Sequence, residues 1–289
     1  MATFYKSLLK PTYNWFDALA LRLDKRFIKR GTNVDHIPTF ANRRGGKSSY
    51  GEWAHTIGIF QTLLGIHTAG QSGLQILDVG CGTGLLAVAS YPLLLDGGHY
   101  TGIDVQQADI DFCKRHYPAD LYTFIHLDTV NAFYAPQQSP AQQRWDIADN
   151  SMDVVTALSV WTHFNEADAI FYFNEVNRVL KPGGTALITF FLLDETDAKQ
   201  RPQRREQPSR FHKTPETLWI FDQVSSPSAN WYHTRWAVVP ESAIGVTPAG
   251  IEMLQAHTQL EWAHTYSGNW KEQFGTFFQD VLVFKKQTP

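Results

Sequence analysis

At 289 residues and 43% hydrophobic composition, the chain is long enough for one large domain, or one domain with a sizeable insertion. Its net charge of −3 gives no electrostatic reason to expect nucleic acid or an anionic membrane as partner. Two cysteines, Cys81 and Cys113, are too few for a disulfide framework, so a cytoplasmic location is expected.

The opening stretch MATFYKSLLKPTYNWF lacks the continuous apolar core of a secretory signal, and no run approaches the 18 apolar residues of a membrane span. A polar, basic arm leads to a helix expected around Gly51 to Leu64. Gln75–Val79 reads as a strand, and a helix starts at Gly84, with an interruption near Pro92. A second strand, His99–Asp104, precedes a helix over Gln106 to His116, and Leu121 to Leu127 forms a third strand. A Pro-, Gln- and Ser-rich loop runs to a fourth strand, read as fully buried, Met152 to Ser159. Asn165 to Leu180 carries helical apolar spacing and stops at Lys181-Pro182-Gly183-Gly184; a fifth strand, Thr185 to Leu193, follows. The alternation predicts a doubly wound α/β sheet, mostly parallel, with helices on both faces.

The alternation breaks at Asp194. Residues 194–247 begin polar and Pro-rich and turn aromatic, with Trp219, Phe221, Trp231, Tyr232 and Trp236. We read them as an insertion over the carboxyl ends of the strands, capping an acceptor pocket. Residues 248–289 then supply a last helix, with Pro248 at its first position after Thr247, and two closing strands, Leu260 to Tyr266 and Phe277 to Lys285. Residues 1–73 form an arm and helix over the ligand site, and residues 74–193 the ligand-binding core.

The loop after the first strand sets the chemistry. In LDVGCGTG, Gly80, Gly82 and Gly84 stand at alternate positions, with Asp78 two residues before the first. A dinucleotide fingerprint needs its third glycine at position 85, which is Leu85, so an NAD-dependent oxidoreductase is disfavoured. A carboxylate beside the loop repels a pyrophosphate and suits an ammonium. Twenty residues beyond Gly84, Asp104 ends the second strand, where an acid accepts from both hydroxyls of a ribose. S-adenosyl-L-methionine meets both requirements.

These residues, together with GID, DNSMDVVTALSVWTHF and EVNRVLKPGGTALITFF, resemble class I S-adenosylmethionine-dependent methyltransferases, most of all the small-molecule group that includes quinone-biosynthesis enzymes. The resemblance spans about Gln75 to Phe191 and implies a Rossmann-like seven-stranded sheet whose last strand is antiparallel. It implies that Asp78, Gly80, Cys81, Gly82 and Gly84 contact the methionine part, Asp104 the ribose and Val105 the adenine. Asp128 would accept from the adenine amino group with Thr129 beside it, and Ser159 would offer backbone to the cofactor's amino group. Arg43 or Arg44 is expected to meet the cofactor carboxylate, and Tyr50 or Trp53 to close over the methyl donor.

His163, just beyond the fourth strand, is the expected general base, with Asp194, His212 and His233 as weaker alternatives. No metal-ligand spacing is present in the sequence. The turn Ser159-Val160-Trp161-Thr162 lacks the Pro-Pro of enzymes that methylate exocyclic amines or glutamine amides. The expectation is therefore a methyltransferase for a small-molecule acceptor, by O-methylation of an aromatic or sugar ring; a non-catalytic cofactor-binding protein is the alternative.

Overall fold

The computed structural model describes residues 2–31, 33–129, 131, 133–134, 137 and 142–288, without the side chains of residues 2–9. Strands β1 (Gln75–Val79), β2 (His99–Asp104), β3 (Tyr122–His126), β4 (Met152–Ala157) and β5 (Leu180–Leu192) form a parallel sheet in the order β3-β2-β1-β4-β5. The order reverses beside β1, and that switch point opens a crevice at the carboxyl ends of the strands.

Helices cover both faces. On one lie α2 (Tyr50–His67), α3 (Leu85–Leu94) and α4 (Gln107–His116), packing Trp53, Phe60, Leu86 and Ile110 into a single cluster. On the other lie α5 (Glu166–Val179) and α7 (Pro248–Gln255), burying Phe173, Val176 and Ile251. The β-strands between them carry apolar side chains to both faces, which is why Ile76 joins the first cluster and Leu77 the second. Helix starts follow local chemistry. Ser49 Oγ accepts from Glu52 N at 3.0 Å while Glu52 Oε2 accepts from Ser49 N at 3.3 Å, a reciprocal cap contributing about 1 kcal/mol. Asn165 and Thr247 cap α5 and α7 one-sidedly, their side-chain oxygens accepting from Asp168 N and Gly250 N.

The structure departs from the sequence reading at three places. The N-terminal arm contains a helix, α1 (Ala2–Asp24). Helix α3 continues through Pro92 to Leu94, because the proline lies in its last turn, where neighbouring apolar burial outweighs one lost hydrogen bond. Among the described residues the sheet has ten strands in place of seven. β9 (Leu260–Tyr266) and β10 (Asp280–Lys286) extend it antiparallel beyond β5, completing seven. The other three belong to the insertion: β6 (Phe221–Val224), β7 (Trp231–Thr234) and β8 (Ile244–Val246).

β8 runs parallel to the last residues of β5, pairing at Phe191 and Leu192, and β7 and β6 add antiparallel beyond it. The insertion, preceded by α6 (Glu195–Gln200), is thus a small sheet grown from the carboxyl end of β5. Its aromatic residues pack on one another: Phe191, Phe221 and Trp270 are buried together, with Trp219 against them.

Candidate active site

β1 and β2 place the loop. Gly80 N and Cys81 N both donate to Ile103 O, at 2.8 and 3.1 Å, and Gly82 N donates to Asp104 Oδ2 at 2.7 Å. Gly80, Gly82 and Gly84 have φ of 69°, 51° and 89°, a region open to glycine at little cost. Space adds a second requirement at two of them. A Cβ on Gly80 would stand 2.5 Å from Val160 Cγ2, and one on Gly84 2.5 Å from the Tyr117 hydroxyl. In front of Gly82 the nearest atom would be Arg44 Cβ, at 3.9 Å, so this glycine faces open space.

That space is a cavity of about 610 Å³, in the range of small-molecule sites. Asp78, Gly80, Cys81, Gly82, Asp104, Val105, Thr129, Ser159 and His163 all border it. Gly84 does not; it caps α3 behind the loop. Asp128 is exposed and lies outside the lining, which passes from Leu127 to Thr129.

Two buried acids flank the loop. Asp78 Oδ2 accepts from the Tyr100 hydroxyl at 2.5 Å, and Oδ1 from Thr156 Oγ1 at 2.8 Å. Burial pushes its carboxyl up to about 7; the two hydroxyls oppose the rise and nearby Asp104 adds to it. No cation pairs with Asp78 among the described residues. Burial also raises Asp104, against hydrogen bonds from Gln106 N and Gly82 N. Each carboxylate keeps lone pairs for a further donor.

The arm reaches the cavity differently from the sequence expectation. Arg43 is buried away from it, with its guanidinium on Pro38 O, Ser48 O and Asp17. Arg44 borders the cavity but pairs with Asp109 at 3.0 Å. Tyr50 is outside the lining, whereas Trp53 is in it, with its Nε1 donating to Lys47 O. Lys47, which no motif marked, also borders the cavity; burial pushes its ammonium down to about 8.

His163 sits on a short turn after β4. Its Nδ1 is 2.7 Å from the Glu241 carbonyl, which can only accept, so that nitrogen carries the proton and Nε2 holds the lone pair, towards which the Tyr134 hydroxyl donates. The Tyr134 hydroxyl is 3.4 Å from Nε2, and Phe133 stacks on the imidazole with ring centroids 5.5 Å apart. Asn131 ties these rings to the histidine: its Nδ2 donates to His163 O at 2.9 Å, and its Oδ1 accepts from Phe133 N and Tyr134 N. Burial lowers the His163 pKa, with the Glu241 hydrogen bond opposing, so the ring is neutral near pH 7.

The alternative bases are engaged elsewhere. Asp194 caps α6 and pairs with Lys271, His212 pairs with Glu272, and His233 bonds Ser225. None of the three borders the cavity, and neither does any residue of the insertion. Glu241 bears on it only through the His163 ring. Among the described residues, no group of three His, Cys, Asp or Glu is placed to hold a metal.

Comparison with known proteins now bears on this loop. Residues 77–188 match a family model described as a methyltransferase domain. They form a class I S-adenosylmethionine-dependent methyltransferase domain. A ubiquinone biosynthesis O-methyltransferase of Pasteurella multocida is 26% identical over 172 residues, 54% of this chain and 66% of that protein. A demethylmenaquinone methyltransferase of Symbiobacterium thermophilum is 33% identical over 113 residues, covering 39% and 40%. The matches thus span just under two thirds or less of these relatives. Among solved structures, a Galdieria sulphuraria protein assigned as a sarcosine dimethylglycine methyltransferase shares the fold. It has a TM-score of 0.51 at 15% identity and covers 83% of this chain and 89% of its own.

The cofactor of the methyltransferase domain is S-adenosyl-L-methionine, and the residues present fit it. Gly82 leaves its side open, Asp78 awaits a cation, and Asp104 has lone pairs at the neighbouring strand end. No helix among the described residues is long and apolar enough to cross a membrane.

Proposed function

We propose that the protein methylates an oxygen on a small ring-bearing acceptor, aromatic or sugar. The observation that carries this reading is His163. A backbone carbonyl fixes its tautomer, and its unprotonated Nε2 stands at the cavity wall, with only a long contact to the Tyr134 hydroxyl for an acceptor to displace. S-adenosylmethionine supplies a methyl group on a sulfonium, already activated for in-line displacement.

The chain's part is to hold, orient and deprotonate. Asp78 receives the ammonium, Asp104 the ribose hydroxyls, and the left-handed glycine loop lets backbone lie against the methionine part. Cys81 and Val105 contribute packing, and Ser159 backbone for the amino group. Lys47 meets the cofactor carboxylate in place of Arg43 or Arg44: Arg43 is consumed in the arm, and Arg44 is paired. A carboxylate would reverse the burial penalty on the Lys47 ammonium.

On the acceptor side, Phe133 and Tyr134 are about half exposed and present ring faces beside His163. His163 Nε2 takes the hydroxyl proton of the acceptor as the new bond to carbon forms. The insertion bears on the acceptor side through Glu241, whose carbonyl holds the base, so its contribution is to orientation. The 26% identity to a ubiquinone-pathway O-methyltransferase agrees with an oxygen acceptor.

The test has two stages. S-adenosylhomocysteine should raise the melting temperature, and at a hundredfold excess over its Kd the added stability is about 2.7 kcal/mol. Labelled S-adenosylmethionine should then transfer methyl to members of a panel of phenols, hydroxyquinols and glycosides. Transfer only to amines would overturn the oxygen assignment; cofactor binding without turnover on any acceptor would favour a non-catalytic protein.

A further inference from the structure

One buried donor in the cavity wall has no partner among the described residues. Trp145 lies in the segment between β3 and β4, is 3% exposed and borders the cavity. Its backbone is fully engaged: N donates to Glu175 Oε2 at 2.8 Å, and O accepts from Arg178 Nη2 at 3.0 Å. Its indole stacks on Tyr172, centroids 5.8 Å apart and planes within 10°, and the Tyr172 hydroxyl donates to Thr129 Oγ1 at 3.3 Å. The ring is therefore held from several sides, yet its Nε1 makes no hydrogen bond to any described residue. An indole N–H can only donate, and leaving one buried and unpaired costs free energy that a ligand acceptor would recover.

The sheet order says which part of a ligand this is. From the glycine loop at the end of β1, the wall passes to Asp104 at the end of β2 and then to Leu127 and Thr129 beyond β3. With the methionine part at the first and the ribose at the second, the base falls at the third, where Trp145 and Tyr172 close the wall. Asp128, the acid expected to accept from an amino group there, is exposed and outside the lining. The unpaired polar group on this side is a donor, and the complement of a donor is a ring nitrogen.

We infer that Trp145 Nε1–H donates to a ring nitrogen of the adenine, so that the base is read by an indole donor from the β3–β4 segment. This rests on an adenosyl cofactor occupying the cavity. It makes Trp145 a specificity residue: a base whose corresponding nitrogen is protonated, or replaced by C–H, faces the indole N–H with nothing to accept.

Calorimetry with S-adenosylhomocysteine and its 1-deaza, 3-deaza and 7-deaza forms tests it on wild type and Trp145→Phe. Phe keeps a ring against Tyr172 and removes only the donor and part of the area. One of the three analogues should bind wild type about three- to tenfold more weakly than the parent, the range of a single hydrogen bond. In Trp145→Phe that one difference should vanish while the other two analogues keep their wild-type ratios to the parent. A uniform loss across all four ligands in the variant would mark a packing role and overturn the inference. So would a wild type indifferent to all three replacements, a result that needs no folded variant. A wild type that binds no S-adenosylhomocysteine would instead overturn the cofactor reading beneath it.

Discussion

Two buried aspartates, Asp78 at the glycine loop and Asp280 at the start of β10, show how burial is used in two regions of this molecule. Burial raises both carboxyls. Asp280 is fully compensated: it accepts from Gly268 N, Leu192 N and Trp270 Nε1, and Lys271 Nζ lies 2.8 Å away. Lys271 also holds Asp194 at 2.6 Å and so fastens the insertion to the core, while Asp197 takes Arg204 at 2.9 Å within the insertion. Asp78 has two neutral hydroxyls and borders a cavity. A buried acid with its cation in place is a fastening; one without its cation is half of a binding site.

The sharpest break of this comparison is Lys271→Met. Removing one partner of a buried ion network strands two carboxylates, and we expect a loss of about 3–5 kcal/mol in urea unfolding. The cofactor affinity of the folded fraction should stay within twofold, because nothing in the network borders the cavity. An unchanged unfolding midpoint would mean that the fastening is decorative.

His163→Gln comes next. It keeps a polar side chain but loses the base, and kcat should fall about a hundredfold while S-adenosylhomocysteine affinity changes less than threefold. Since the imidazole pKa is lowered, the acid limb of wild-type turnover should fall below the ordinary imidazole value near 6.5, and the variant should lack it. A variant with an unaltered pH profile would remove His163 from the chemistry.

Asp78 should reveal itself through pH. A carboxyl that titrates near 7 in the free protein must be ionised to hold an ammonium. Cofactor binding should therefore weaken by about tenfold per pH unit below 7, and Asp78→Asn should bind more weakly with a flat profile. The stability effect has the opposite sense. With the folded value above the ordinary 3.8, the contribution of Asp78 is present below pH ~4 and lost as pH rises through 7. At pH 8 the ligand-free Asp78→Asn variant should thus melt no lower than wild type, unlike Lys271→Met. A large loss of stability there would erase the contrast between the two acids.

The smallest effect is expected at the cavity lip. Lys47→Gln should raise the Kd for S-adenosylhomocysteine about three- to tenfold, as a partly solvated ion pair would. An equal loss in Arg44→Gln with none in Lys47→Gln would return the carboxylate contact to the arginine.

How legible the molecule is in its sequence follows from how far each feature reaches along the chain. Strands β1 and β2 fall where the sequence marks them, because both faces of a central parallel strand are buried and each short run carries apolar side chains for them. The loop chemistry of Asp78, Gly80, Gly82 and Asp104 is equally local: positive φ demands glycine, and each acid stands at the end of its own strand. What lies between distant segments left no periodic trace. Lys47 and Trp145 sit in irregular stretches and reach the cavity only when α2 and α5 dock on opposite faces of the sheet. The tautomer of His163 depends on a carbonyl 78 residues away, which no spacing rule anticipates. The insertion's aromatics look like a ligand wall in composition, yet they pack on Phe191 and Trp270 as a small core of their own. Hydrophobic pattern and backbone strain are properties of short segments and are written into sequence directly. Which polar groups end up paired, and which are left facing the cavity, is settled only by the packing that brings the segments together.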